Sequence, residues 1–270
     1  MKKSIFLILI AIISINIFAQ NPRQRNYFKQ PAPVISNEYK ISFKDIVSKA
    51  EYLKMAITTQ NLLEDCYLMY KQSETKFIFP FGEYPAKPRT VYIAPKEQRK
   101  KTLKVDGDTR FLVDSFTIHL DGVYKLPLKG NNIKIKDFEL PASTNKIKTD
   151  KFVINLIKLK KSTAETYALF ECTYLGDKIA MIDPSEISVK VEDKDIVYAN
   201  DNKKPKIKFL RKGEKTKVKA IFHIPGNIVD MQFATLLVKW NDTFKEITPE
   251  KLDAVDIKFV LDKGKTAAKN

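Results

Sequence analysis

The chain has 270 residues, with 48 Lys and Arg against 32 Asp and Glu, for a formal net charge of +16. Aromatic residues make up 11% of it and glycine only 8 positions, which excludes a disordered chain: there is enough apolar surface to offset the entropy of ordering. Two histidines in the whole sequence leave little room for histidine-based catalysis or zinc chemistry.

The first predicted element is an export signal over 1–19. Lys2 and Lys3 precede an apolar run from Ile5 to Phe18, and the small Ala19 meets the polar Gln20. The run is shorter than the ~20 apolar residues needed to span a bilayer, so cleavage after Ala19 is expected rather than retention as an anchor. The nearest cysteine is Cys66, which excludes a lipoprotein anchor. Cleavage leaves a chain of net charge +14, soluble or peripherally attached in the periplasm or beyond, with no second run long enough to cross a membrane. A polar segment over 20–39 follows, with Arg23, Arg25, Tyr27, Phe28 and Pro31-Ala32-Pro33, and reads as a flexible arm that orders on a partner.

From there the sequence compares with itself. Asp45-Ile46-Val47 aligns with Lys151-Phe152-Val153, and Leu63 to Cys66 with Leu169 to Cys172, both at an offset of 106. Ile93 to Val105 aligns with Ile207 to Val218, starting at an offset of 114; Phe116, Ile118 and Leu120 align with Leu236, Val238 and Trp240 at 120; Ile133-Lys134-Ile135 aligns with Ile257-Lys258-Phe259 at 124. Offsets that grow in order are what a duplication with loop insertions leaves behind. Each copy reads as short strands. Ile187, Val189 and Val191 alternate with polar residues, as do Leu236, Val238 and Trp240, and Asp121-Gly122 and Asn241-Asp242 supply hairpin turns that tolerate φ > 0. Segment 46–58 could pass for a helix but is taken as strand. The expectation is an all-β protein of two tandem immunoglobulin-like β-sandwiches over 40–141 and 142–262, with about seven strands each and a disordered tail over 263–270. Cys66 and Cys172, at equivalent positions in separate cores, are then expected as two free buried thiols, because a disulfide needs Cα atoms within ~7 Å.

The second copy resembles the telokin-like immunoglobulin-fold modules of exported bacterial proteins. The resemblance is one of pattern, carried by Phe152-Val153-Ile154-Asn155, by Phe222-His223-Ile224-Pro225 and by Leu237-Val238-Lys239-Trp240-Asn241. It implies a module that binds partners or acts as a spacer, and points away from an enzyme.

The search for chemistry returns little. The Gly-x-Ser-x-Gly, His-Glu-x-x-His, Gly-x-x-x-x-Gly-Lys and Ser-x-x-Lys elements are absent. His119 and His223 read as half-wet strand residues, and the acids from Asp183 to Asp195 as a solvated face rather than a calcium loop. No catalytic residue, cofactor site or metal site is assigned. Basic residues are more telling. Lys208, Arg211, Lys212, Lys215 and Lys217 lie in a run interleaved with Ile207, Phe209 and Val218, and Lys100 and Lys101 repeat the theme in the first copy. Such edges suit an anionic envelope component or an acidic protein, and nucleic acid is disfavoured by compartment; lysines also guard strand edges against aggregation. Phe77 to Tyr84 concentrates aromatics. Core packing is the favoured reading, and Phe79, Phe81 and Tyr84 become a docking patch only if exposed. The functional expectation is a non-enzymatic periplasmic adaptor or accessory subunit of a cell-envelope assembly, binding through the cationic sandwich edges and the aromatic loop of the first copy. The alternative is a carbohydrate- or cell-wall-binding module, which needs those three aromatics exposed in a row.

Overall fold

The computed structural model describes residues 24–192 and 194–270. The expected export signal over 1–19 and residues 20–23 of the expected arm lie outside them. The described chain is β throughout, with one seven-residue helix, as the alternation required. The first unit runs through β1 (Asn26–Tyr27), β2 (Val34–Ile35), β3 (Tyr39–Lys49), β4 (Tyr52–Asn61), β5 (Cys66–Lys71) and β6 (Lys76–Phe79). It continues with β7 (Gly82–Pro85), β8 (Thr90–Ile93), β9 (Gln98–Asp106), β10 (Ser115–Leu120) and β11 (Val123–Pro127). Three short strands follow: β12 (Asn131–Asn132), β13 (Phe138–Leu140) and β14 (Lys146–Lys148). The second unit has β15 (Phe152–Lys161), β16 (Glu165–Tyr174), β17 (Ile179–Ile182), β18 (Ser188–Val191) and β19 (Val197–Ala199), then β20 (Lys208–Leu210), β21 (Lys215–His223), β22 (Leu236–Lys239) and β23 (Phe244–Ile247). Last come β24 (Glu250–Lys251), β25 (Val255–Val260) and α1 (Lys263–Lys269).

The same three antiparallel sheets occur twice. In the first unit they are β1-β3-β4-β9 with β2 beside β3, β24-β11-β5-β8, and β25-β10-β6-β7; in the second they are β14-β15-β16-β21, β12-β23-β17-β20, and β13-β22-β18-β19. Each set encloses its own apolar core, one built on Phe43, Phe77, Phe116 and Phe259, the other on Phe152, Phe170, Trp240 and Phe244. The duplication is thus visible in three dimensions, but the units are not laid end to end. The strands β12 and β13, which follow the first unit in sequence, complete the second, where Phe138 and Leu140 pair with Val238 and Leu236. The strands β24 and β25, which follow the second, return to complete the first, where Ile257 and Phe259 pair with Ile118 and Phe116. The expected boundary between 141 and 142 therefore does not hold: each unit takes its final two strands from the other's stretch of chain.

This exchange corrects the repeat register. Paired against equivalent strands, Phe138 corresponds to Ile257 and Leu140 to Phe259, a spacing of 119 and not the 124 of the Ile133 alignment. The cysteines are not equivalent either. Cys172 lies in β16, the counterpart of β4, whereas Cys66 opens β5. Short apolar matches recur at many registers in alternating sequence, and only strand pairing selects one. Both thiols are nonetheless free and buried, as expected. Desolvation pushes both thiol pKa values up, most strongly for Cys172.

Between the units, β24-β11-β5-β8 and β12-β23-β17-β20 share a third apolar cluster in which Met69 and Leu126 meet Ile179, Met181, Phe209 and Ile247. All four residues of β17 are buried because one face looks into a core and the other toward the neighbouring unit. The turn expected at Asp121-Gly122 is present. Gly122 has φ +87, and a Cβ there would fall against the Lys71 carbonyl oxygen, which leaves only glycine. In the corresponding turn of the second unit Asn241, which matches Asp121, lies at positive φ, +33.

Two ends expected to be loose are docked. Phe28 is buried in the first core, and Asn26-Tyr27 pairs with Val47-Ser48 on β3, so the described part of the 20–39 segment is bound structure. The 263–270 segment forms α1, capped by the Asp262 side chain accepting from Lys265 N–H, and it packs on β1. Composition suggested fraying at both ends; hydrogen bonds between the two ends hold them instead.

Candidate cationic face

The sheet β14-β15-β16-β21 turns one side to the second core and the other to solvent. Inward lie Phe152 and Ile154, then Ala168, Phe170 and Cys172, then Val218, Ala220 and Phe222. Period-two alternation places their neighbours outward. Registers across the four strands arrange the outward residues in rows. Lys148, Val153, Thr173 and Lys215 form one; Lys146, Asn155, Glu171 and Lys217 the next. Past the bulge between Leu156 and Lys158 come Lys158, Leu169 and Lys219, then Lys160, Tyr167 and Ile221. Seven lysines therefore share one face about 15 Å across, from the ~4.8 Å spacing of neighbouring strands. The only acids on these four strands are Glu171, 3.6 Å from Lys215, and Glu165 at the rim, engaged by His223 at 2.9 Å. Lysines two apart on one strand, about 7 Å from each other, lie within one Debye length (~8 Å at physiological salt), so their fields add along each edge of the face. Glu171 and Glu165 each subtract one charge, which leaves the seven lysines in clear excess on this face.

The predicted basic residues divide. Lys215 and Lys217 lie on this face, at the free edge strand β21. Arg211 and Lys212 do not. They turn into a cleft of about 680 Å³ between the units, where Arg211 is held by Glu214 at 2.6 Å and Lys212 by Asp177 at 2.6 Å. Burial works to raise the Glu214 pKa, but the Arg211 hydrogen bonds outweigh it and hold it low; Asp177 is lowered by Lys212. Lys208 is half-buried on β20, opposite Ile182. In the first unit Lys100 and Lys101 are exposed on β9, again an edge strand, Lys100 opposite Thr58 and Lys101 opposite the buried Ile57. A lysine on the inward side of an open edge is an edge guard.

The aromatic segment is a correction to the docking patch. Phe79 is only 5% exposed, stacks on Phe81 at 5.2 Å between ring centroids and packs against Phe111 at 5.0 Å. Phe81 and Tyr84 are half-buried above it, with the Arg110 guanidinium 4.5 Å from the Phe81 centroid and the Tyr84 hydroxyl donating to Asp108 at 2.5 Å. The hydrogen bonds from Arg110 and Tyr84 hold the Asp108 carboxyl well below the usual carboxylate range. These rings close the first core and do not form an exposed row.

Sequence reasoning missed Lys146, Lys148, Lys158 and Lys160. Their signal was the alternation Lys146-Ile147-Lys148 and Lys158-Leu159-Lys160, which carries the same pattern as the 203–219 run in a shorter form. It also missed the partners of the histidines. His119 meets Asp256, at 2.7 Å across the exchanged strand β25, and His223 lies between Glu165 and Asp201, at 2.9 and 2.8 Å. His119 is half-exposed and His223 exposed. Among the described residues no set of three His, Cys, Asp or Glu side chains is placed to hold a metal ion, and no helix is long and apolar enough to cross a membrane. No protein-family model matches the chain, and no curated protein matches it.

Proposed function

We propose that this chain is an exported, non-enzymatic binding protein, an adaptor or accessory subunit of a cell-envelope assembly built from two immunoglobulin-like units, which captures an acidic protein surface on the lysine face of the second. The observation that carries this reading is seven outward lysines against two acids on one face of one sheet. Such a face steers an oppositely charged partner and fixes its register by charge complementarity. The export signal in the sequence and the resemblance to telokin-like modules support the envelope setting. The carbohydrate-binding alternative required Phe79, Phe81 and Tyr84 in the open, and the burial of Phe79 takes its support away.

The test is in-cell crosslinking followed by capture of copurified envelope proteins, for the native chain and for the triple variant Lys158→Glu, Lys160→Glu, Lys217→Glu. Capture is expected to fall at least tenfold in the variant, and for the native chain to fall steeply between low and physiological salt. Unchanged capture sinks the proposal, and retention on vesicles of anionic lipid without any protein partner replaces it with a membrane-surface reading.

A further inference from the structure

We infer that the first unit carries a separate pocket for a phosphorylated sugar, between the rings of Tyr27 and Tyr52. A cavity of about 280 Å³ opens on the outer side of the sheet β1-β3-β4-β9. Its floor is the row Tyr27, Val47 and Lys54, paired across three strands. Its wall is α1, fixed in place because Tyr27 N–H donates to Thr266 Oγ1 at 2.9 Å, Asp262 N–H donates to the Tyr27 carbonyl at 2.7 Å, and Arg25 N–H donates to Asn270 Oδ1 at 2.9 Å. The cavity is thus assembled before any ligand arrives, which lowers the ordering cost of binding.

Four cations line it, Arg25, Lys54, Lys265 and Lys269, against the single carboxylate of Asp45. Among the described residues none of the four has a salt-bridge partner. Three rest on ring faces instead: Lys265 and Lys269 lie 5.5 and 5.3 Å from the Tyr27 centroid, and Lys54 lies 5.5 Å from that of Tyr52. An ammonium held by a ring is positioned, yet it can take a phosphate oxygen without first breaking an ion pair. This contrasts with Arg211 and Lys212 in the cleft, whose charges are already engaged.

Asp45 and the rings narrow the ligand class. Asp45 sits at φ +53 in the bulge of β3, a conformation seldom adopted outside glycine. Its carboxylate opposes a bare anion but accepts from ligand hydroxyls. Tyr27 and Tyr52 add aromatic carbon to the lining, apolar surface for the C–H side of a sugar ring. The volume is at the small end for ligand pockets, suited to one ring and one phosphate. Inorganic phosphate would leave Asp45 and the rings unused, and a neutral sugar would leave the cations unused.

Isothermal titration calorimetry on the intact protein tests this with glucose 6-phosphate, inorganic phosphate and glucose. Glucose 6-phosphate is expected to bind at least tenfold more tightly than inorganic phosphate, and glucose to give no measurable heat. The variant K265Q/K269Q is expected to weaken sugar-phosphate binding at least tenfold. Asp45→Asn, which keeps a residue tolerant of positive φ, is expected to weaken glucose 6-phosphate while strengthening inorganic phosphate. If loss of the lysines shifts the melting curve, Tyr52→Leu, outside α1, gives the second readout. Cosedimentation with vesicles carrying a monophosphorylated glucosamine lipid, against phosphatidylglycerol vesicles, separates a lipid headgroup from a free sugar phosphate as the source. Equal affinity for inorganic phosphate and glucose 6-phosphate, binding indifferent to both the lysine and tyrosine changes, or binding to neither the free sugar phosphate nor the glycolipid vesicles overturns the assignment. Because the pocket lies on the first unit, its failure and that of the lysine face are separable.

Discussion

The two units share one strand plan and use its outer sheet differently. In the second, the lysines of β14, β15, β16 and β21 stand open with little to neutralise them. In the first, the equivalent sheet is also rich in lysine, but Lys49, Lys54 and Lys104 lean on the ring of Tyr52, Lys104 also meets Asp106 at 3.0 Å, and α1 packs beside β1. A duplicated scaffold keeps what folds it, namely inward apolar positions and strand order. Its outward positions are free to diverge, because a surface substitution costs little stability. The first face has become a walled pocket and the second an open cationic plane.

The largest effect expected from breaking this comparison lies at the exchanged strands. Phe259→Ala, only a dozen residues from the end of the chain, removes a fully buried ring stacked at 4.7 Å on Phe116 of the first core. A loss of about 3–5 kcal/mol is expected. In native-state hydrogen exchange the amides of β10 are expected to lose protection before those of β22, although β22 is nearer in sequence. The reverse order would mean that the units are sequential and not exchanged.

A smaller effect separates the units by charge. Glu246 accepts from the Tyr174 hydroxyl and from Lys151 Nζ at 3.0 Å. The position equivalent by strand pairing is Lys125, which bonds Glu250 instead. Burial acts to raise the Glu246 pKa, but the hydrogen bonds from Tyr174 and Lys151 hold it below its ordinary value of 4.5. A carboxyl depressed in the folded state contributes stability that is complete above its unfolded pKa and is lost as pH falls through its folded pKa. Glu246→Gln is therefore expected to cost about 1.5–3 kcal/mol at neutral pH. The gap between variant and native urea midpoints is expected to shrink as pH falls below about 4.5. A gap constant from pH 7 down to pH 3 would show that the carboxylate charge contributes nothing.

The smallest effects concern the cysteines. Cys172 is fully buried between strands of the second core, so Cys172→Ser places a hydroxyl there at a cost of about 1–3 kcal/mol. Cys66 is 8% exposed at the start of β5, and Cys66→Ser is expected to cost under about 1 kcal/mol. Alkylation of the native protein is expected to label Cys66 slowly and Cys172 only on unfolding, as mass spectrometry of quenched samples can check. Equal labelling would remove the difference in burial.

Sequence alone determined a great deal of this molecule. Period-two alternation marked β18 and β22 as strands and Asp121-Gly122 marked a tight turn, because each is a local property of the chain; of the internal matches, that of Phe116 and Ile118 with Leu236 and Val238 agrees with the strand pairing. The cationic character of β21 was legible for the same reason; the free thiols were expected from equivalent positions in two cores, and they are free although those positions are not equivalent. Tertiary structure decided the rest. Which unit receives β13 and which receives β25 depends on pairing across more than a hundred residues, and no local pattern distinguishes an exchanged strand from a retained one. The burial of Phe79, the double burial of β17 and the docking of α1 on Tyr27 depend on what lies across the interior. The same holds for the lysine face: strand registers gather residues from 146 to 219 onto one surface, and a charge pattern read along the chain cannot show which lysines end up side by side.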